Sequence, residues 1–431
     1  MAFRFLTAAA FALTAARAFS APVSPGNHVA LAPDLAVNAK GEMALLWVDR
    51  SPEMSRPAGG GEHDNHLAYT DLYVSISRDG GGSFGAPVKV NHDSGVVWGQ
   101  SVSRPRIVGA ADGSWHVSYS ANEIHQGLGK PALTAHYTRS TDGGASFEAP
   151  RRLSTLTDSD LSAIIHGGFT SAAAFAAMAA AKDGSVHVMW IDTRHMGEMA
   201  GAGALYTAVS RDGGKTFNGD TQLLADGVCP CCQMVAAPDA DASVLLSLRH
   251  VTGDGTRQAT IGRIPAGGGA MSTPVNTGGA PWKIDACPLK PTVIAINGKN
   301  VFTAVFNGGE TNPGVYFSHS ADGGANYARA VQAHPEARVS DAPSIAANDR
   351  YVLLAWHGKL DGARRIFTRM YDLNGKPAGA VNELPAGPEN AQNPVVVTRP
   401  DGKFQIAYQQ ADKIHLAVLP AAPTEVAALG R

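Results

Sequence analysis

The sequence predicts an all-β protein built as a β-propeller of four-stranded blades. Three observations predict it. One octapeptide recurs four times, an alternating strand precedes each copy, and a strand pair ending in a large side chain recurs along the whole chain. The octapeptides are SRDGGGSF from Ser77, STDGGASF from Ser140, SRDGGKTF from Ser210 and SADGGANY from Ser320, spanning 77–84, 140–147, 210–217 and 320–327. An aspartate that accepts turn N–H groups, followed by glycines tolerant of φ > 0, is hairpin-turn chemistry. The closing aromatic side chain (Phe84, Phe147, Phe217 or Tyr327) can bury itself and pin the turn.

The preceding segments are LYVSIS from Leu72, AHYTRS from Ala135, LYTAVS from Leu205 and VYFSHS from Val315. Their two-residue alternation is that of half-buried strands. Upstream, the strand pairs end at Trp47, Tyr119, Trp190, Leu248, Phe306, Trp356 and Tyr408. Their intervals of roughly 50 to 70 residues fall in the range of propeller blades. This counts seven units; the count becomes six if one unit with a degenerate turn is irregular. The degenerate turns are PAGGGAMS at Pro265, DLNGKPAG at Asp372 and the tail after Leu419. The last unit lacks an outer strand, and His28-Val29-Ala30-Leu31 is expected to supply it.

Composition fits this reading and excludes others. With 35 Lys and Arg against 37 Asp and Glu, the chain has no basic footprint for nucleic acid. Its 48 glycines and 17% charged residues favour many tight turns over long helices. Residues 1–20 read as a cleavable signal peptide, with Arg4, an apolar run from Phe5 to Ala16 and small residues at Ala18 and Ser20. No other stretch is long and apolar enough to span a membrane, and the alanine-rich run Ala172 to Ala181 is too short. The expectation is a periplasmic or secreted protein whose residues 21–431 form one propeller domain.

The octapeptides match the Asp box, or BNR repeat, and over roughly residues 28 to 419 the chain resembles the sialidase superfamily. The resemblance implies that the boxes sit at blade peripheries, so Asp79, Asp142, Asp212 and Asp322 are structural. It also implies an Arg-Ile-Pro motif before the first box, a carboxylate-binding arginine triad, a Tyr-Glu nucleophile pair and an aspartate acid/base. This sequence departs from that pattern. Its nearest match, Ser103-Arg104-Pro105-Arg106-Ile107-Val108, follows the first box and reverses the order of Pro and Ile. Arg50, Arg194 and Arg249 close second strands and, with Arg104 and Arg106, are candidate anion-binding groups. Glu198, Glu310 and Glu336 are loop carboxylates with no tyrosine partner identifiable from sequence.

Three of the four cysteines fall in Cys229-Pro230-Cys231-Cys232, and the fourth, Cys287, lies before the next unit's inner strand. Loops entering inner strands share one face of a propeller, so the two segments are expected to meet near its axis. The pairing resembles a bacterial Asp-box subgroup with a Cys-x-Cys-Cys segment and a later Trp-x-Ile-x-(Gly/Ala)-Cys-Pro segment. Two chemistries remain open. A disulfide from Cys231 or Cys232 to Cys287 would close a loop of about 56 residues and contribute roughly 2–4 kcal/mol. Thiolates would alternatively bind a soft metal, copper rather than zinc, with His195, Met196, Met199 and His250 as added donors. Met54, His63, His66 and His166 are expected on the same face. Thioredoxin-type chemistry at Cys229-x-x-Cys232 needs a helix N-terminus, and none is predicted there. The functional alternatives are a non-catalytic or metal-handling propeller, a sialidase-type glycoside hydrolase, and a module binding glycans or a periplasmic protein. The glycine-rich loop Ser51 to Leu67 is a candidate surface for the last.

Overall fold

The computed structural model describes residues 18–20, 28–51, 70–99, 103–124, 131–167, 171–195, 202–284, 289–360, 362–385 and 389–423. They form seven four-stranded antiparallel units, each running from an inner strand outwards, and edge pairings, one of them parallel, join the units of blades two to four into one continuous sheet. In blade one the strands are Val29–Val37, Met43–Arg50, Asp71–Ser77 and Val88–Lys89. Blades two to seven repeat the order, with inner strands Arg106–Gly109, Ser171–Ala180, Val235–Pro238, Thr292–Asn297, Arg338–Ala347 and Ala391–Thr398. Each inner strand neighbours the next in chain order, and that of blade seven neighbours that of blade one, so the ring closes.

Second strands carry the largest buried side chains. Trp47, Trp190 and Trp356 are fully buried, as are Tyr119, Leu248 and Tyr408, whereas Phe306 is only half-buried against Trp282. These residues fill the clusters between adjacent sheets, which face each other across their apolar sides. The alanine-rich run is blade three's inner strand, where small side chains let neighbouring sheets approach.

The four octapeptides form one turn. Ser77 Oγ donates to Asp79 Oδ1 at 2.7 Å, and that oxygen accepts the Ser83 N–H at 2.9 Å. The same bonds recur at Asp142, Asp212 and Asp322. Gly80 and Gly81 have φ of 67° and 94°, which only glycine adopts without strain. The hydroxyl and N–H donors hold all four carboxyls well below the usual carboxylate range, Asp142 and Asp322 at about 2. The carboxylates are therefore committed to their own turns.

Two features differ from expectation. Val29–Val37 is blade one's inner strand, with Val29 opposite Arg50, and does not complete blade seven. Ala18–Ser20 does so instead, pairing with Lys413–Leu419 through Ala18 opposite Ala417 and Ser20 opposite His415. A one-residue handover, Ala30 N–H to Asp412 O at 2.9 Å, also ties blade one to this hairpin. The second difference is a helix, Asp158–His166, between blades two and three. Thr157 and Asp160 cap it reciprocally, and Leu161, Ile164 and Ile165 bury its inner face. His166 is its last residue, and its Nδ1 contacts Ser162 O.

Candidate functional site

Inner strands of a propeller surround its axis, and here they enclose a cavity of about 350 Å³. That volume suits a small ligand. Six blades supply its polar lining: Asp34, Arg104, Arg106, Gln233, Lys290, Asp341, His357, Arg364, Gln392 and Asn393. Four cations therefore face two carboxylates. Asp34 is 2% exposed, accepts the Ile107 N–H at 3.0 Å and lies 3.5 Å from Arg106. Lys290 pairs with Asp341, and Arg364 donates to Gln392 Oε1 at 2.6 Å.

Arg104 differs from these. Its backbone carbonyl accepts from Gln233 at 3.0 Å, but its buried Nε has no hydrogen-bond partner. Burial pulls its guanidinium down to about 10, Asp34 opposing and Arg106 assisting. Arg364 Nε is likewise buried and unpartnered. An unmet donor on a buried cation is costly unless something anionic completes it.

His357 is 5% exposed and opposite Asp341 in the strand register. Its Nδ1 accepts the Asn393 N–H at 3.1 Å, which leaves the ring proton of the neutral form on Nε2. Burial pushes its pKa down to about 4, with Asp341 opposing and Arg364, Lys290 and Arg104 adding to the effect.

A repeated backbone device presents these groups. Ala32, Ala342 and Asn393 each precede a proline and have φ of 45°, 48° and 55°. At each the ladder skips: Leu31 to Asp34, Asp341 to Ser344, and Gln392 to Val395. The strand bulges there and the flanking side chains are re-aimed; proline, which donates no ladder hydrogen bond, suits the position, and Phe175 of blade three bulges the same way before an alanine. Left-handed backbone at a non-glycine residue costs on the order of 1–3 kcal/mol, and such strain clusters at functional sites. Reading the sequence for octapeptides missed most of this lining. The signal that would have found it is the proline recurring within or just before five inner strands, Pro33, Pro105, Pro291, Pro343 and Pro394.

The cysteine segment lies beside the cavity. Cys229-Pro230-Cys231-Cys232 is a turn closed by the Cys232 N–H and Cys229 O at 3.4 Å. Cys229 and Cys232 are buried free thiols with their sulfurs 3.1 Å apart, sealed by Ala202 and Val251. Cys231 is half-buried and is not a free thiol. Burial would raise the Cys232 thiol, but the Cys229 hydrogen bond, Arg249 and the N–H groups of Lys290 and Leu289 outweigh it and lower the pKa to about 6. The Cys229 thiol, hydrogen-bonded to Cys232 and buried, is raised. These contacts bring residues 229–232 against 289–290, across two blades.

The other sequence candidates are placed as follows. Arg104 and Arg106 line the cavity. Arg194 is bound to Asp192 and Asp220, and its guanidinium covers the Tyr206 ring. Arg249 is 4% exposed, donates to Phe306 O at 3.2 Å and lies over Trp282. Arg50 is exposed at its strand end. His250 is half-buried beside Gly227, with Nδ1 unpartnered, and His195 is exposed. Glu310 accepts the Ala280 N–H at 3.0 Å, and Glu336 is exposed. Met54, His63, His66, Met196, Glu198, Met199 and Cys287 lie outside the described residues, as does most of the Ser51 to Leu67 loop. Among the described residues, no group of three or more His, Cys, Asp or Glu is placed to hold a metal ion. No helix among them is long and apolar enough to cross a membrane.

No protein-family model matches the chain, and no curated protein matches it. Solved structures do. A protein of unknown function from Dyadobacter fermentans aligns at 16% identity over 83% of this chain and 99% of its own, with a TM-score of 0.54. A polysaccharide lyase, an ulvan lyase bound to -[GlcA(1-4)Rha3S]-, aligns at 10% identity over 94% of this chain and 96% of its own, also at 0.54. The intramolecular trans-sialidase from Ruminococcus gnavus aligns at 11% identity over 94% and 97%, at 0.48. The fold is a β-propeller of four-stranded blades. At these identities the likeness extends to the fold alone.

Proposed function

We propose that this propeller binds an acidic saccharide, one bearing carboxylate or sulfate groups, in its axial cavity. The observation that carries the reading is the excess of cations over carboxylates in the cavity, with a buried Arg104 Nε left without a partner. An anionic group completes that donor and balances the charge. The ulvan lyase of similar fold is bound to a saccharide of this class, which is compatible with the reading. Turnover of the bound ligand is the second reading. His357, neutral at pH 7 and opposite Asp341, gives the cavity an Nε2–H able to polarise a ligand oxygen by hydrogen bonding.

Calorimetric titration with glucuronate-, sialate- and sulfate-bearing oligosaccharides, each beside its neutral counterpart, tests binding. Acidic ligands are expected to bind, more weakly as salt rises, while neutral ones do not. Equal affinity for both classes, or no binding by any, rejects the proposal. Following the bound ligand for new reducing ends or unsaturated products decides between binding and turnover.

We infer further that the protein is exported and that Cys231 bonds Cys287, joining the loops that enter blades four and five. Supporting this are the leader-like N-terminus, the oxidising compartment such a leader reaches, and the fact that Cys229 and Cys232 are free while Cys231 is not.

A further inference from the structure

Cys229 and Cys232 are outside the cavity lining, and nothing in the proposed binding uses them. Pro230 occupies the second position of their turn, where its fixed φ is favourable, and the turn sets the two sulfurs 3.1 Å apart. Closing to a disulfide needs only about 1 Å of further approach. Inert structural cysteines sit in apolar surroundings. Here one sulfur faces polar groups. Arg249 and the backbone of Leu289 and Lys290 favour the Cys232 thiolate. Leu289 has φ of 56°, a left-handed backbone that a non-glycine residue adopts only under strain. Pro230 and Cys231, at the turn's tip, are half-buried above the buried pair, so exchange requires the turn to open.

We propose that Cys229 and Cys232 form a redox-active dithiol that closes to an intramolecular disulfide by exchange with an external disulfide. The Cys232 thiolate attacks one sulfur of the disulfide RSSR. The RS–SR bond breaks, a first RS⁻ leaves, and a mixed disulfide remains on Cys232. Cys229 gives its proton to that RS⁻, and its sulfur attacks Cys232 Sγ, expelling the second RS⁻. The dithiol loses two electrons and RSSR gains them; the products are the Cys229–Cys232 disulfide, one RSH and one RS⁻. No helix is required, because Arg249 supplies a positive field of the kind a helix N-terminus supplies elsewhere.

The test treats the full chain with oxidised glutathione, quenches in acid, alkylates under denaturing conditions and maps peptides by mass. Wild type is expected to lose alkylation at Cys229 and Cys232 together and to show a bond between them, reversed by dithiothreitol. Cys229→Ser is expected to hold a glutathione adduct on Cys232, because the second thiol is gone. Both thiols remaining alkylatable in wild type whose melting curve is unchanged overturns the proposal. So does an adduct that accumulates on Cys229 or Cys231 instead of Cys232. Neither result bears on the saccharide titration, so the two readings fail separately.

Discussion

At the scale of the residue, Arg104 shows how the binding reading can be tested without a known ligand. Its Nε is buried without a partner, and burial depresses its pKa to about 10, so the folded chain tolerates this cation at a cost. Replacing a poorly paired buried charge with a similar apolar side chain is often neutral or stabilising. Arg104→Met is therefore expected to leave Tm unchanged or to raise it by a few degrees, read by calorimetry. The same variant should weaken binding of the acidic saccharide at least tenfold, a loss of about 1.4 kcal/mol. A large fall in Tm would assign Arg104 to the architecture instead. The sequence pointed to Arg104 and Arg106 because they lie in a motif-like run, Ser103 to Val108. It did not point to Asp34, Lys290, Asp341, His357 or Arg364. Asp341, His357 and Arg364 come from neighbouring strands of blade six, whereas Asp34 belongs to blade one and Lys290 precedes blade five's inner strand, so no local pattern records their convergence.

At the scale of the element, the Asp boxes were legible because all their bonds close within eight consecutive residues. What locks one blade to the next was not, since it joins residues about 50 to 75 apart, near the blade repeat length. Arg78 donates to Gly143 O, Arg139 to Gly213 O, Arg211 to Gly267 O and Arg263 to Gly323 O. Each arginine reaches from its own blade to a turn glycine of the following one. Gly267 belongs to the degenerate turn at Pro265, so the clamp survives where the octapeptide has decayed. Asn348 serves between blades six and seven, reaching Gly402 O at 2.9 Å. Arg263 is the most heavily engaged, since it also pairs with Asp239 at 2.8 Å and bonds Ser243. Arg263→Ala removes charge-assisted bonds and is expected to cost about 1–3 kcal/mol. Urea unfolding should show a lower midpoint at unchanged slope. A midpoint equal to wild type would mean that water replaces the clamp without loss.

At the scale of the whole molecule, a ring has one junction that the chain must close on itself, and here a rim clamp, a sheet strand and the Ala30 to Asp412 bond all serve it. On the rim, Arg399 of blade seven donates to Gly81 O of blade one at 3.2 Å, continuing the clamp through the junction. In the sheet, Ala18–Ser20 is the outer strand of blade seven, although these residues fall inside the expected leader. The sequence showed that the last unit was short of a strand but not which segment would fill it. The alternation in His28 to Leu31 suits either an inner or an outer position, and only the pairing with Met43–Arg50 decides. Cleavage after Ser20 would remove the closing strand and leave Lys413–Leu419 as an unpaired edge, with its outward N–H and C=O groups exposed. A chain starting at Ala21 is therefore expected to exchange the amides of Lys413–Leu419 faster than a chain starting at Ala18, while blade four exchanges alike in both. Hydrogen exchange followed by mass spectrometry reads this directly. Equal protection of Lys413–Leu419 in the two forms would show that closure rests on Arg399 and the Ala30 to Asp412 bond, with the short strand contributing nothing measurable.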